Sequence, residues 1–426
     1  MTADRQILDT AQADTCIVCN SIAMGRIRTV SGEDVMTEAE FAAWWQEHQG
    51  GRFLDVLRRH VARQLQVQNF RQLALICGDQ VLAVPSQWVD AEMVAVVRPY
   101  ADDDGLELLQ AARDGDAAKV VNLLERPCDP EASGGRRTAL HVAAMKGHKD
   151  IVHCLLETGA EKNKVDNGGL TPMHLAAVNG HKDIVHCLVE ACADRHIEDS
   201  GGQTALHLAA SLGHKETARC LLEAGFDKDQ ANRIGETPLH GAACNGHEDV
   251  VHCLLEAGVD KDKANNVGKT PLHLATRRGQ KDTVRCLVEA GADKDKTDNC
   301  GDTPMQFATL QGHKDVVDCL LEAGADKDKA NDNGDTPMHW AAQNGFTDIV
   351  RCLLAAGADK GKANNIGVTP MHFAAIYGHR DTVCCLLEAG ADKDKADHNG
   401  DTAARLAARN GHQEVVSCLE AGADNR

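Results

Sequence analysis

A period of 33 residues constrains this chain more than any other feature of its sequence. Threonine returns at that spacing, always in register, at Thr138, Thr171, Thr204, Thr237, Thr270, Thr303, Thr336, Thr369 and Thr402. Close copies of the segment from Thr336 to Val368 precede and follow it. A fixed period of this length is the signature of a repeat array, in which each repeat buries its apolar face against its neighbours. We therefore predict a stack of similar repeats.

Each period carries the local signals of two short helices and a turn, most completely in the repeat that begins at Thr237. Thr237 suits an N-cap, and Pro238 suits the first helical position, where its missing N–H costs no hydrogen bond. Gly246 and Gly258 stand at the two helix ends, where a left-handed residue is favoured. The sequence thus predicts helix–turn–helix repeats, joined by projecting turns such as Asn265-Asn266-Val267-Gly268.

The two ends of the array depart from the pattern, as stacking requires of repeats with one exposed side. The N-terminal end of the array lacks the Thr-Pro start and has Pro127 in place of the cap glycine. At the other end, Thr402 is followed by Ala, Ala and Arg in place of Pro, Leu and His. We predict a degenerate capping repeat over residues 104–137, eight full repeats over 138–401 and a second cap over 402–426, about ten in all.

The repeated pattern T-P-[LM]-H-x-A-A-x-x-G-H-x-[DE]-[IV]-V-x-C-L-L-E-A-G-A-D resembles the ankyrin repeat over residues 138–424. The resemblance implies a mainly α fold, an α-solenoid that binds proteins on a concave face made of turns and first helices. It also implies that the recurrent histidines are structural and tie adjacent helices and turns together. The scaffold positions it assigns are Thr237, Pro238, His240, Gly246, Gly258, Thr336, Pro337, His339, Gly345 and Gly357.

Two repeats look less regular than the others. Gln306 replaces the histidine in the repeat that begins at Thr303. Cys192 replaces the helix-ending glycine in the repeat that begins at Thr171. If the left-handed conformation is kept at Cys192, we expect it to cost on the order of 1 kcal/mol.

Most of the 17 cysteines follow the period as well. Each periodic cysteine, from Cys154 to Cys418, precedes a leucine on a second helix, where a small apolar residue belongs. We interpret them as reduced thiols in a core, which predicts an intracellular protein, cytoplasmic or alternatively nuclear. No apolar run has the length of a signal peptide or a membrane span, so we predict no membrane insertion.

The net charge of −19 argues against nucleic acid as a partner, because such binding relies on clustered Lys and Arg. Runs such as Asp326–Lys329 are interpreted as solvated loop charges that suppress aggregation. No Ser/His/Asp or paired-carboxylate arrangement stands outside the repeat period, and each Gly already has a cap or turn role. The sequence therefore predicts no catalytic, cofactor or metal site and no small-molecule substrate.

Residues 1–100 share no period with the array and contain nine Arg but no Lys, which marks a separate region. We predict a flexible N-terminus over residues 1–14. The spacing of apolar residues from Phe53 to Leu65 predicts a helix. Strands are predicted from the apolar runs Cys16–Ile22, Arg26–Val30, Leu73–Cys77 and Met93–Val97, with a turn at Ser31–Asp34.

This strand–strand–helix–strand–strand order resembles the ubiquitin-like β-grasp fold, most closely at Arg71–Leu82, and predicts a small α+β domain over residues 15–100. The Gly-Gly tail of ubiquitin is missing, so the domain would be an embedded docking module. The pair Trp44-Trp45 fits no part of that template. Cys16 and Cys19 form a CxxC, but no second pair lies nearby to complete a zinc site, and we interpret them as strand residues.

Positions that differ between repeats are where recognition is expected, because the constant positions build the scaffold. Two sets differ: the turn tips, and the residues after Ala-Ala on the first helix, which include Lys146 and Leu212. Exposed apolar side chains aligned on one surface suggest a contact site, with neutral variation as the alternative. The predicted partner-binding residues are Ile234, Val267, Lys269, Arg277, Arg278, Cys300, Leu310, Ile366, Val368 and Tyr377.

Together these features predict a non-enzymatic scaffold or adaptor that binds another protein on the concave surface. The alternative is a ubiquitin-pathway adaptor, in which the N-terminal ubiquitin-like domain docks to a ligase or the proteasome and the repeats recruit the substrate.

Overall fold

The computed structural model describes residues 16–19, 27–29, 34–36, 73–77, 80–81, 93–97, 102–125, 130–131 and 137–421. Within these residues the chain is mainly helical, with twenty helices and six short strands. It forms two compact units, Met1–Ala176 with His186–Ala193 and Ala177–Val185 with Asp194–Arg426. The division between the compact units falls inside the repeat array, and the domain bounds given above stay predictions.

The helices alternate between a first helix and a second helix of each repeat. From residue 138 onward the first helices begin directly after the periodic threonine, and most second helices begin after a Gly-His link, which is Gly-Gln at 279–280 and Gly-Phe at 345–346. In chain order the helices are α1 Asp102–Asp114, α2 Ala117–Leu124, α3 Ala139–Lys146, α4 Lys149–Glu157, α5 Pro172–Val178, α6 Lys182–Glu190, α7 Ala205–Ser211, α8 Lys215–Glu223, α9 Pro238–Asn245, α10 Glu248–Glu256, α11 Pro271–Arg278, α12 Lys281–Glu289, α13 Pro304–Gln311, α14 Lys314–Glu322, α15 Pro337–Gln343, α16 Thr347–Ala355, α17 Pro370–Ile376, α18 Arg380–Glu388, α19 Ala403–Arg409 and α20 Gln413–Ala421.

The core of the array is built from small and branched aliphatic side chains. In the Thr237 repeat, Ala242 and Ala243 of α9 and Val251 and Leu254 of α10 are completely buried. Burial of a Val or Leu side chain stabilises the fold by about 1.5–3 kcal/mol relative to exposure. Alanine lets the first helices lie close together, which explains how the chain folds with an aromatic content of only 3%.

Four of the six N-terminal strands fall within the predicted apolar runs, whereas the strands Asp34–Met36 and Gln80–Val81 were not predicted. In chain order the strands are β1 Cys16–Cys19, β2 Ile27–Thr29, β3 Asp34–Met36, β4 Leu73–Cys77, β5 Gln80–Val81 and β6 Met93–Val97. The interpretation of Cys16 and Cys19 as strand residues is confirmed for the backbone. The predicted turn at Ser31–Asp34 is wrong at its last residue, since Asp34 opens a strand that pairs with β2.

The pairing of these strands differs from that of a β-grasp. The sheet order is β3-β2-β1-β6-β4-β5, and every recorded pair is antiparallel, including β1 with β6, where Ile17 lies opposite Ala95. In a β-grasp the first and last strands lie side by side and run parallel. The sheet therefore does not support the ubiquitin-like prediction, because apolar alternation locates strands but leaves their direction to the connections between them.

Three predictions for the N-terminal region lie outside the described residues: the flexible segment 1–14, the helix from Phe53 to Leu65 and a role for Trp44-Trp45.

Cysteine pairing corrects one of the thiol predictions. Cys418 forms a disulfide with Cys384, and their Cα atoms are 6.7 Å apart. In other repeats the side chain at the Cys384 position reaches the periodic cysteine 34 residues later, as Arg219 does with Cys253 and Arg351 with Cys385. A cysteine at that position therefore places its sulfur against Cys418, and the prediction of a reduced thiol there is wrong.

The Asp-Lys runs are also more than solvated loop charges. Asp262 Oδ1 accepts a hydrogen bond from the Asp293 backbone N–H at 2.8 Å, and its carbonyl accepts one from Lys296 Nζ at 2.6 Å. Asp295 makes the same two contacts with the following repeat, and its carbonyl accepts the hydrogen bond from Lys329 Nζ at 3.0 Å. These charges link adjacent repeats, so the solvated interpretation is wrong for them. Sequence reasoning missed this role because the partners are 31 and 34 residues apart.

Candidate functional site

The turn between repeats is fixed by one side chain at its start. Asn265 Oδ1 accepts hydrogen bonds from the backbone N–H groups of Val267 at 3.1 Å and Lys269 at 2.9 Å. The Asn265 N–H donates to the Lys269 carbonyl at 2.9 Å, which closes the turn. The backbone is thus satisfied inside the turn, and the Val267 side chain is left at the tip, 53% exposed.

Successive turns are held in register by backbone hydrogen bonds. The Asn266 N–H donates to the Ile234 carbonyl at 3.1 Å, and the Asn299 N–H donates to the Val267 carbonyl at 3.2 Å. The same bond joins Asp332 to Cys300 at 3.2 Å. Because each tip is bonded to the next, the tip side chains form one continuous column within the second compact unit.

The first helices adjoin this column of tips. Lys269, at the base of one turn, places Nζ 4.5 Å from the centroid of the Phe307 ring on the first helix of the next repeat. Arg277 and Arg278 are exposed in the last turn of α11. At 1.5 Å per residue, they lie roughly 10 Å along the helix axis from the start of α11, which is next to Lys269. We call the exposed and half-buried side chains of these turns and first helices the recognition face: Leu212, Arg233, Ile234, Val267, Lys269, Arg277, Arg278, Cys300, Leu310, Ile366 and Tyr377.

The structure places most of the predicted partner-binding residues at the surface. Ile234 is 58% exposed, Ile366 60% and Tyr377 50%. Arg277, Arg278 and Cys300 are also exposed, whereas Lys269 and Leu310 are half-buried. The face includes Arg233, which sequence reasoning missed although it replaces the Asn, Asp or Ser that most other repeats carry at that position.

Val368 does not belong to the recognition face. Its side chain is only 5% exposed, its N–H donates to Asn364 Oδ1 at 3.0 Å, and its carbonyl accepts from His339 Nε2 at 3.1 Å. The prediction of Val368 as a partner-binding residue is wrong. It lies directly before the capping threonine, where the chain turns inward, while Ile366 stands at the tip.

The scaffold residues form a repeated hydrogen-bond bridge. Thr237 is the N-cap of α9 and Pro238 occupies the first turn, and the Thr237 N–H donates to His240 Nδ1 at 3.0 Å. Because Nδ1 accepts, the proton resides on Nε2, which donates to the Lys269 carbonyl of the next repeat at 3.0 Å. The Thr336 and His339 pair repeats the same bridge to Val368, with Pro337 in the first turn.

Burial keeps these histidines neutral. It lowers the pKa of His240 to about 4, against the opposing effect of the hydrogen bond to the Lys269 carbonyl. Burial likewise lowers the pKa of His273 to about 4. The same cause lowers the pKa values of His141, His207, His339 and His372. A neutral, doubly hydrogen-bonded imidazole in a core has a structural role. That role accounts for the recurrence of these histidines without a catalytic function.

Gln306 makes the same bridge without an imidazole. Its Oε1 accepts from the Thr303 N–H at 2.6 Å, and its Nε2 donates to the Asp335 carbonyl at 2.7 Å. A second set of histidines links most repeats to the preceding one, as His247 Nε2 does with the Ser211 carbonyl at 3.0 Å, whereas Gln280 and Phe346 replace it in two repeats. The remaining scaffold glycines, Gly246, Gly258, Gly345 and Gly357, all have φ between 70° and 79°.

Among the described residues, no group of three or more His, Cys, Asp or Glu side chains could hold a metal ion. No helix in that part of the chain is long and apolar enough to cross a membrane.

Stacked helix pairs with aligned turns, joined by buried threonine–histidine bridges, define a helical repeat protein of the kind that binds other proteins. The family model described as ankyrin repeats (3 copies) matches residues 108–199, 187–265, 258–331, 323–397 and 357–426. The chain belongs to the ankyrin-repeat family, as its sequence pattern predicted.

The chain is similar to several curated proteins over short stretches. E3 ubiquitin-protein ligase XBAT33 of Arabidopsis thaliana is 48% identical over 62 residues, 14% of this chain and 12% of that protein. Probable E3 ubiquitin-protein ligase XBOS33 of Oryza sativa subsp. japonica is 52% identical over 62 residues, again 14% and 12%. Serine/threonine-protein kinase 12 of A. thaliana is 36% identical over 107 residues, 24% of this chain and 23% of that protein. The chain thus spans less than a quarter of the length of these relatives.

Proposed function

We propose that the chain is a non-enzymatic scaffold that binds a partner polypeptide on the recognition face. The observation that carries the proposal is the set of apolar tips in this column, which the polar tip of Asn333 interrupts before Ile366. Ile234, Val267 and Ile366 are more than half exposed in turns whose backbone bonding does not require an apolar side chain. Exposed aliphatic side chains that neighbouring turns hold in one row suit a protein contact, because their burial against a partner is favourable.

Affinity capture with the full chain tests this proposal. The variant carries Ile234→Ser, Val267→Ser, Arg278→Ser and Ile366→Ser, all at exposed positions, so we expect helicity and the unfolding midpoint to stay unchanged. A matched control carries Arg219→Ser, His252→Ser and Arg285→Ser on the second helices. We expect quantitative mass spectrometry to show partners that are captured by the wild type and the control but lost by the variant. Undiminished capture by the variant would make the recognition face the wrong site.

A second candidate function is that of a ubiquitin-pathway adaptor, in which residues 1–100 recruit a ligase or the proteasome and the repeats hold the substrate. Its support is that two curated relatives are named as ubiquitin ligases or probable ligases, over 62 shared residues in each case. This role needs only a docking module and no ubiquitin-like fold.

Deletion of residues 1–100 distinguishes the two candidates once a partner is known. An adaptor would keep partner binding but lose partner turnover, measured by a cycloheximide chase in cells. A scaffold without this role would leave the partner's half-life unchanged.

A further inference from the structure

The recognition face carries a cluster of positive charge in the repeats that begin at Thr237 and Thr270. Arg233 stands beside a turn tip, Lys269 at the base of the next turn, and Arg277 and Arg278 at the end of α11. The arginines are exposed and Lys269 is half-buried. Four cations therefore gather on one face of a chain whose net charge is −19.

No carboxylate of the described chain forms an ion pair with these arginines. Lys269 interacts electrostatically with Asp302, where it opposes the rise in the pKa of that carboxyl caused by burial. Some cations elsewhere on the array do have such partners: Arg285 lies 3.8 Å from Asp282, Lys314 2.6 Å from Asp318 and Arg409 2.9 Å from Asp401. The chain has 64 acidic residues for 45 basic ones, so three exposed arginines without an ion-pair partner on one face depart from the general balance of charge. Their charge is available to a ligand.

Apolar side chains lie directly beside these charges. Ile234 follows Arg233 in the chain, Val267 stands at the next tip, and Leu212 on the first helix of the preceding repeat is 48% exposed. The hydrogen bond from the Asn266 N–H to the Ile234 carbonyl fixes the spacing of the two tips. The face thus offers aliphatic contacts and positive charge within one fixed frame.

Resting on the protein-binding role proposed above, we propose that this part of the recognition face binds an acidic polypeptide segment. The segment's carboxylates meet Arg233, Arg277 and Arg278, and its apolar side chains pack on Ile234 and Val267. Complementary charge speeds the encounter and selects the partner, while the apolar contacts supply the affinity. The chain's overall negative charge favours basic partners in general, so this local reversal of sign gives selectivity.

The neighbouring repeats argue for a polypeptide over a nucleic acid. In the next turn, Asp302 occupies the position of Lys269. One turn further, Asp332 occupies the position of Asn266 and is exposed. A phosphate backbone that continued along the row would meet these carboxylates, whereas it needs a run of cations to displace its counterions. Aliphatic tips also offer nothing to a phosphate. An acidic peptide needs only the local cluster.

The test is selection of a phage-displayed random dodecapeptide library on the immobilised full chain, followed by affinity measurement of the enriched peptides by fluorescence anisotropy. We expect the enriched peptides to combine Asp or Glu with aliphatic residues. The variant R277Q/R278Q should weaken them by about tenfold, and added salt should weaken the wild type more than this variant. The control R219Q/R285Q removes the same charge from second helices and should leave the affinity unchanged.

Other outcomes overturn the inference in distinguishable ways. Peptides that are lost on I234S/V267S but carry no acidic residues, and that ignore R277Q/R278Q, would refute the acidic partner while leaving the protein-binding role intact. No enriched peptide, or peptides indifferent to every substitution on the face, would refute both. An oligothymidine of the same length that bound more tightly than the acidic peptides would assign the cluster to nucleic acid instead.

Discussion

The contacts between adjacent repeats and the recognition face come from the same 33-residue period, but they follow opposite rules. Between repeats, His240 has a partner on each ring nitrogen, and Asp262 has one on its carboxylate and another on its carbonyl. On the face, Arg278 has no carboxylate partner in the described chain, and Ile234 is 58% exposed. Repetition therefore marks stability, and departure from it on the proposed face marks the candidate positions for binding. Substitutions between repeats should change unfolding, whereas those on the face should change only binding.

A single turn shows how sharply the two regions meet. Ile366 and Val368 both depart from the repeat pattern, and both are aliphatic. Yet Ile366 is 60% exposed and Val368 only 5%. The difference arises because the Asn364 side chain closes the turn between them, so the tip points outward and the residue before the threonine points inward. Sequence variation identifies a candidate for recognition only where the backbone also presents the side chain to solvent.

The largest expected effect is acid unfolding through the histidine bridges. His240 and His273 have folded pKa values of about 4 against an unfolded value of 6.5, so the unfolded chain takes up protons first as the pH falls. The stability they contribute is complete above pH 6.5 and is lost between 6.5 and 4, on the order of 3 kcal/mol for each. We expect the urea midpoint, followed by circular dichroism, to fall steeply across that interval.

The variant H240Q/H273Q separates this cause from general acid denaturation. Gln306 already forms the bridge in its own repeat, so glutamine should keep most of the stability at pH 7 and flatten the loss below it. The control H186Q/H252Q removes two exposed histidines and should leave the wild-type profile unchanged. If H240Q/H273Q lost stability with pH as steeply as the wild type, the buried imidazoles would not be the groups that titrate.

A smaller effect is expected from the turn glycines, which distinguish backbone strain from contact between repeats. Gly268 and Gly258 have φ of 82° and 73°, so alanine costs about 1 kcal/mol at either position. A Cβ at Gly268 would also lie 2.5 Å from the backbone nitrogen of Asn299 in the next turn, whereas one at Gly258 meets nothing within 4 Å. We expect Gly268→Ala to cost about 1–3 kcal/mol more than Gly258→Ala in urea unfolding. Equal losses would mean that adjacent turns are not tightly packed.

Local signals in the sequence predicted most of the fold. Helix starts follow from the threonines and prolines, and Leu73–Cys77 and Met93–Val97 are strands with the bounds that their apolar runs gave. These elements depend on residues close together in the chain. The direction in which β1 and β6 pair depends on connections that carry no comparable signal, and there the predicted β-grasp finds no support.

Contacts across repeats explain most of what sequence reasoning missed. The link from Lys296 to Asp262 and the disulfide of Cys384 with Cys418 both join residues 34 positions apart. Within one repeat these side chains look like solvated charges or independent thiols, and only stacking brings them together. The exposed tips at Ile234 and Val267 could be predicted because their neighbours in the turn specify its geometry. That no described carboxylate pairs with Arg277 or Arg278 could be established only from the structure.

The smallest effect tests whether a single departure from the pattern between repeats is a cost or a function. Cys192 is the one residue other than glycine with positive φ in the described chain, at 56°. Cys192→Gly should remove that strain and stabilise the array by about 1 kcal/mol, seen as a higher thermal midpoint. The reverse change, Gly258→Cys, has open space around its Cβ and should cost a similar amount. An unchanged or lower midpoint for Cys192→Gly would show that its exposed thiol makes a stabilising contact. Cys192 would then resemble the recognition face, where we propose that a departure from the repeat has a function.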